Sequence, residues 1–302
     1  MEPIIVLVGF LGAGKTTVLK WLIEKYIEGG WQPSVIMNDY ENANLDAQRF
    51  LDFLSPSQIQ ALSGSCICCS GVNELRKQVN AIPRQEKGIT FIEANGTTDA
   101  VTLMEFLGVG INENFQPPIQ LSVVDCRNWQ KRGTENELEA NQVQVSSLIF
   151  LNYQQEVELH ELDKIKSDIK ALNPSAVFVS WDDFNLTDLV TLEQPKNNPR
   201  PMDHGRSHWS SCSVKLPDPL PSKSLQGVFN VLPEGILRVK GCTKLDEDDY
   251  YTYFEKTPIN DEIMVRPYRG TLVSGPTILL VGPGSNPYQL NEIIEASVKA
   301  FA

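Results

Sequence analysis

The first 180 residues switch repeatedly between two hydrophobic periods. Ile4-Ile5-Val6-Leu7-Val8 is an unbroken apolar run, the pattern of a short strand covered on both faces. Beyond a glycine-rich stretch, Val18, Leu19, Leu22 and Ile23 recur at helical spacing over Thr17 to Tyr26, and Gly29-Gly30 ends that helix. Ser34-Val35-Ile36-Met37 reads as a second strand. Further strands are Gly88-Ile89-Thr90-Phe91-Ile92-Glu93, Leu121-Ser122-Val123-Val124-Asp125 and Leu148-Ile149-Phe150-Leu151-Asn152. A charged helix is expected from about Glu156 to Leu172, and Ala176-Val177-Phe178-Val179-Ser180 closes the series. Short apolar strands alternating with helices predict an α/β domain with a largely parallel sheet.

The pattern changes from Asn185 to Ser207. Glu193 to Pro201 is rich in proline and asparagine, as linkers are. His204 and His208 stand four apart, but Gly205 between them argues against a helix that would align them. The remainder, from Trp209 to Ala302, reads strand, helix, several strands, helix. Ile236-Leu237-Arg238-Val239-Lys240 alternates, so one face is buried and Arg238 and Lys240 point to the other. Tyr250 to Phe254 is an aromatic strand, Thr277 to Val281 an apolar one, and Pro287 to Phe301 an amphipathic helix. The expected division is an α/β domain over 1–185, a linker over 186–207 and a smaller α+β domain over 208–302.

Gly9-Phe10-Leu11-Gly12-Ala13-Gly14-Lys15-Thr16 matches G-x-x-x-x-G-K-[ST], the phosphate-binding P-loop, with a strand before it and a helix after it. The 1–185 domain is therefore expected to be a P-loop NTPase domain. Glycines let backbone N–H groups curl around phosphate oxygens, and the helix N-terminus adds a positive dipole end. Lys15 supplies a cation for the β/γ phosphates, and the Thr16 hydroxyl suits Mg²⁺. Glu93 ends a strand in the Walker-B position, where a carboxylate holds Mg²⁺. Gly96, three residues on, lets the backbone approach a γ-phosphate. Ligands in such sheets sit beyond the C-terminal strand ends. Asp39 and Glu41, just past the second strand, can thus meet Mg²⁺, a water or a second metal. Asp125 reads first as a strand-end cap. Cys66-Ile67-Cys68-Cys69 puts three thiols in a Gly/Ser-rich loop, a donor set for Zn²⁺ or another thiophilic ion.

Charge narrows the partners. The 302 residues carry 26 basic and 38 acidic side chains, a net charge of −12. That disfavours sequence-independent binding to nucleic acid or to an anionic membrane. No apolar run approaches the roughly 20 residues of a membrane-spanning helix, and a strand begins within five residues of Met1, so no signal peptide is expected. Six cysteines, three of them in one loop, point to reduced thiols and a cytoplasmic protein rather than a disulfide framework.

The P-loop, Asn38-Asp39-Tyr40, Cys66-Ile67-Cys68-Cys69, the strand ending in Glu93 with Gly96 beyond it, and Ile236-Leu237-Arg238-Val239-Lys240-Gly241 together resemble the CobW family of P-loop GTPases, relatives of the urease and hydrogenase accessory GTPases. The resemblance covers nearly the whole chain. It implies GTP hydrolysis with Mg²⁺, coupled to handling Zn²⁺ or Co²⁺ at Cys66, Cys68 and Cys69, as a metallochaperone or metal-insertion factor for a client metalloprotein. A homo-oligomer is compatible with it. It assigns Lys15, Asp39 and Glu93 to catalysis. Gly9, Gly12, Ala13, Gly14, Lys15, Thr16, Thr17, Gly96 and Asn152 are assigned to nucleotide contact, and Thr16, Glu93, Glu41 and the three thiols to metal.

Three departures stand out. The family's guanine-reading Asn-Lys-x-Asp is here Asn152-Tyr153-Gln154-Gln155. Loss of a charge-assisted hydrogen-bond pair is worth about 1.5–3 kcal/mol, so guanine preference is expected to be weaker and ATP enters as an alternative. Gly64-Ser65 replaces the usual Asn-Gly before the cysteines, and the family's histidine-rich stretch is absent. The alternative functions are a non-catalytic nucleotide- and metal-binding sensor or adaptor, and a P-loop small-molecule kinase.

Overall fold

A computed structural model of the protein describes residues 1–38, 50–62, 71–191, 210–232, 236, 238–246, 248–257, 260–268, 275–282 and 287–301. Two compact units are present, residues 1–207 and 208–302. The first runs β1 (Ile4–Val8), α1 (Lys15–Glu28), β2 (Gln32–Asn38), β3 (Ile59–Leu62), α2 (Val72–Asn80), β4 (Gly88–Glu93), α3 (Ala100–Leu107), β5 (Ile119–Asp125), α4 (Asn136–Gln144), β6 (Leu148–Asn152), α5 (Leu159–Leu172), β7 (Val177–Val179) and α6 (Leu186–Thr191). Its seven strands are parallel, in the order β3-β2-β4-β1-β5-β6-β7.

Both faces of this sheet are covered, which is why its strands read as apolar runs instead of alternating. β1 turns Ile5 and Leu7 to one face, where Val18, Leu19, Leu22, Ile23 and Tyr26 of α1 pack on them together with Phe91, Leu121 and Phe150. It turns Ile4, Val6 and Val8 to the other, against Leu75 and Val79 of α2 and Leu103 and Leu107 of α3. Farther along that second face, Val124, Ile149 and Leu151 meet Val143 of α4 and Ile165 and Ile169 of α5. Burial of each such side chain contributes about 1.5–3 kcal/mol.

Three expectations are adjusted. The charged helix starts at Leu159, because Tyr153 enters a left-handed conformation (φ 58°) and Gln154–Glu156 form a separate tight turn before it. The stretch expected to be linker from residue 186 begins as helix α6. Leu189 is buried there, and the Leu186 carbonyl accepts from the Tyr26 hydroxyl at 2.7 Å. β2 also extends to Gln32 and Asn38, beyond the apolar core of the run.

The second unit contains β8 (Ser210–Lys215), α7 (Ser222–Val231), β9 (Arg238–Lys244), β10 (Tyr251–Thr257), β11 (Asn260–Pro267), β12 (Thr277–Gly282) and α8 (Pro287–Phe301). The strands form an antiparallel sheet in the order β11-β10-β9-β12-β8. Val239, Phe254, Ile278 and Leu280 pack on Val228 and Phe229 of α7 and Ile294 and Val298 of α8. Lys240 lies on the opposite face, as alternation requires, yet is only 4% exposed, alongside the Arg238–Glu255 ion pair at 2.9 Å. No helix of the described residues is long and apolar enough to cross a membrane.

The aromatic seam of the first unit gives a stability test. Phe150 is fully buried and meets Trp21 and Trp181 edge-on, at centroid distances of 5.9 and 4.9 Å. Phe150→Ala should cost about 3–5 kcal/mol, read from urea unfolding followed by tryptophan fluorescence.

Candidate functional site

The Gly9–Gly14 loop leaves the C-terminal end of β1, between the ends of β4 and β5. It closes on itself: Ala13 N–H donates to Phe10 O at 3.1 Å, and the Thr17 and Val18 amides donate to Gly14 O at 3.0 Å. Gly14 has φ 93°, and a Cβ there would stand 2.4 Å from Asn152 Nδ2, so only glycine fits. Lys15 is buried, with Nζ donating to the Gly9 and Phe10 carbonyls at 3.0 and 3.5 Å. The ammonium thus lies within the loop, while Thr17 stays exposed at the first turn of α1.

Thr16 Oγ1 donates to Glu93 Oε1 at 2.7 Å across 77 residues of sequence. The β1–β4 register, Leu7 opposite Glu93, makes that contact reachable. A hydroxyl and a buried carboxylate, both oxygen donors beside a buried ammonium, are a donor set that fits Mg²⁺ and phosphate. Gly96 fits the same picture: a Cβ there would lie 2.4 Å from Leu11 Cδ2 and 2.7 Å from Leu11 N, so the Gly96 backbone rests directly on the P-loop. Asn95 Oδ1 accepts from Thr97 N at 3.0 Å, Thr97 Oγ1 at 2.9 Å and Thr98 Oγ1 at 3.0 Å, which shapes the turn.

Asn95 Nδ2 also donates to Asn38 Oδ1 at 3.3 Å, and Asn38 Nδ2 donates to Leu62 O at 3.2 Å. Asn38 and Leu62 face each other across the β2–β3 pair. Asp39, Glu41, Cys66, Cys68 and Cys69 lie outside the described residues. The strand ends that precede their two segments are nevertheless neighbours, tied to each other and to the turn after Glu93. Among the described residues, no group of three or more His, Cys, Asp or Glu side chains could hold a metal ion.

On the other flank Asn152 Nδ2 donates to Ala13 O at 2.9 Å, and Asn152 Oδ1 accepts from Trp181 Nε1 at 3.2 Å. This joins the end of β6 to the P-loop. Asp125 is a cap: Oδ1 accepts from the Arg127 backbone N–H at 3.1 Å and Nε at 3.0 Å, and Oδ2 from Arg127 Nη2 at 3.2 Å and Asn128 Nδ2 at 3.1 Å. Arg127 continues to Glu156 at 3.2 Å and lies 3.5 Å over the Tyr153 ring. Burial acts to lower the Arg127 pKa, but hydrogen bonds and charge from Asp125 and then Glu156 outweigh it and raise it, so the guanidinium stays protonated. Gln155, in the place of the motif's aspartate, is exposed.

A sequence profile of the family described as CobW/HypB/UreG, nucleotide-binding domain, matches residues 3–180. The chain belongs to this family. Over 280 residues it is 27% identical to the zinc chaperone YjiA of Escherichia coli strain K12, covering 84% of this chain and 86% of that protein. It is 27% identical over 212 residues to zinc-regulated GTPase metalloprotein activator 1 of Dictyostelium discoideum, covering 58% of this chain and 44% of that one. The chain therefore spans less than half the length of the Dictyostelium relative. A solved structure of Zn(II)-bound YjiA GTPase from E. coli aligns at 19% identity and a TM-score of 0.38, with 100% of each chain covered.

Within this CobW/HypB/UreG domain, the P-loop residues, Glu93, Gly96 and Asn152 come together, although they are spread over 140 positions. Nothing in the sequence marks Arg127, Trp181, Asn141 or Gln142 as part of the site. They are polar or aromatic residues in unremarkable contexts, and only the folded chain brings them to the strand ends. Two cysteines outside the Cys-x-Cys-Cys loop are accounted for. Cys126 and Cys242 are buried free thiols, and burial pushes each up to about 12. A raised thiol pKa leaves little thiolate, so in the native protein at pH 8 iodoacetamide should leave both unmodified by mass spectrometry, with labelling appearing only after denaturation.

Proposed function

We propose that this chain hydrolyses a nucleoside triphosphate, GTP in preference to ATP, in a Mg²⁺-dependent reaction coupled to binding a thiophilic divalent metal and delivering it to a client protein. The observation that carries the reading is the Thr16–Glu93 hydrogen bond of 2.7 Å beside the buried Lys15. Thr16 Oγ1 and Glu93 would hold Mg²⁺, which when bound supplies positive charge along the triphosphate. Lys15 neutralises phosphate charge from within the loop. Backbone amides of the P-loop and the α1 N-terminus fix the phosphates, and the Gly96 turn abuts the P-loop where the γ-phosphate is expected. Asp39, which follows β2, is proposed to meet Mg²⁺, the attacking water or the second metal.

For the nucleobase, Asn152 secures the flank of the loop, and neutral Gln155 offers no charged acceptor. A guanine preference weaker than a complete Asn-Lys-x-Asp motif would provide follows. For the metal, Cys66, Cys68 and Cys69 are the proposed ligands, with Glu41 or Asp39 as the non-thiol contributor. Two things support coupling to the nucleotide. The metal-ligand and Asp39/Glu41 segments follow the paired strand ends Leu62 and Asn38, and Asn38 is bonded to Asn95 of the Gly96 turn. The names of the relatives speak of zinc chaperoning and of zinc-regulated GTPase activity.

The deciding experiment is turnover and affinity for GTP and ATP, each with and without stoichiometric Zn²⁺ or Co²⁺. Turnover should require Mg²⁺, favour GTP by less than about a thousandfold, and change when the thiophilic ion is added. No hydrolysis of either nucleotide would make the chain a binding protein. Lys15→Ala should abolish turnover in a folded protein, and Glu93→Gln should shift the Mg²⁺ titration to higher concentration. Unchanged kcat or an unchanged titration removes the respective assignment. Co²⁺ should give a thiolate charge-transfer band that is lost when Cys66, Cys68 and Cys69 are replaced by serine and that weakens as pH falls, since the ligands must be deprotonated. A band indifferent to that substitution would exclude the thiols.

A further inference from the structure

The turn after β4 is gripped from two sides. Its front rests on the P-loop through Gly96 and Leu11. Its back is held by α4. Gln142 Nε2 donates to Gly96 O and to Thr98 O, both at 3.2 Å, and Gln142 is 1% exposed. One residue earlier, Asn141 Oδ1 accepts from Ala100 N at 2.9 Å and Asn141 Nδ2 donates to Asp99 Oδ1 at 2.9 Å. Two successive side chains of one helix thus hold four positions of the turn.

The orientation of the Gln142 amide is set by chemistry. Two carbonyl oxygens face it, so the NH₂ end must point at them; the reverse would place three acceptors together. Its Oε1 is buried and finds no hydrogen-bond partner among the described residues. The backbone of Gln142 is itself anchored. Its carbonyl accepts from Ser122 Oγ at 2.7 Å and Ser146 Oγ at 2.9 Å, and also from Gln120 Nε2 at 2.5 Å. Gln120 and Ser122 project from β5 on the same face as Val124. They form a polar strip between the apolar cluster under α2 and α3 and the one under α4 and α5. A fully buried amide surrounded by such a strip contributes little to an apolar core and leaves one acceptor unsatisfied. What it does secure is the direction of the Gly96 carbonyl.

We infer that Gln142 is a positioning residue for the triphosphate: by holding the Gly96 and Thr98 carbonyls toward α4, it keeps the Gly96 backbone seated against the P-loop. The inference rests on the hydrolase reading above and adds to it a residue 46 positions from Gly96 that acts through the backbone of the turn. An interaction of this kind separates triphosphate from diphosphate, because only the former reaches the turn.

The test uses the full chain and three variants: Gln142→Leu, Gln142→Asn and Ile165→Val. Affinities for GDP and a non-hydrolysable GTP analogue are measured beside kcat, at a temperature well below every variant's Tm. Gln142→Leu should lower kcat by about tenfold or more and weaken the analogue against GDP by a similar factor, with GDP affinity near wild type. Gln142→Asn, too short to span both carbonyls, should fall between. Ile165→Val removes a methyl from the apolar cluster under α5, away from the polar strip and the turn, and should lower Tm while keeping the analogue-to-GDP ratio. If Gln142→Leu does not fold, Gln142→Asn carries the test alone. A wild-type ratio and kcat in the Gln142 variants, or equal ratio losses in Ile165→Val, overturns the inference. Absence of turnover and of any analogue preference in the wild type would instead overturn the hydrolase reading on which it rests.

Discussion

Burial of β1 on every side is the constraint on which the site depends. The strand pairs with β4 along one edge and β5 along the other, and helices cover both faces. The P-loop emerges from its C-terminal end. A slip of one residue would exchange Ile5 and Leu7 with Ile4, Val6 and Val8, putting each set against the wrong helices. A slip of two would move Glu93 by about 6.6 Å and break its contact with Thr16. Apolar packing far from any ligand therefore fixes the distance between a hydroxyl and a carboxylate to hydrogen-bonding range.

Around that rigid centre the strand ends are joined by polar side chains with mutually satisfied bonds. Asn38 and Asn95 link the ends of β2, β3 and β4, and Asn152 links β6 to the P-loop. Each is an amide, which both donates and accepts, so one side chain can join two backbone segments without carrying charge into a crowded pocket. Beside the buried Lys15 and Glu93, neighbouring charges stand in ion pairs. Arg127, pinned by Asp125 and Glu156, lies over Tyr153, and a buried pair of Arg132 with Glu139 at 3.1 Å sets the Arg132 guanidinium over the Phe10 ring of the P-loop. Burial raises the Glu139 carboxyl pKa, with Arg132 opposing that rise.

The sequence on its own determined the parallel α/β order, the P-loop with Lys15 and Thr16, the carboxylate at the end of β4 and the smaller α+β second unit, though not the antiparallel pairing of its strands. These are local signals: unbroken apolar runs, helical spacing, and a glycine pattern whose conformational demand is met within eight residues. Tertiary structure alone decided which strand ends became neighbours. The Leu7–Glu93 and Asn38–Leu62 pairings, the Asn152–Trp181 contact and the grip of Gln142 on Gly96 join residues 24 to 86 positions apart. Such contacts leave no period in the sequence, because an asparagine or glutamine reads alike in a solvated turn and in a buried joint. Lys240 makes the same point: alternation assigns its face, but only the folded chain decides that this face is buried.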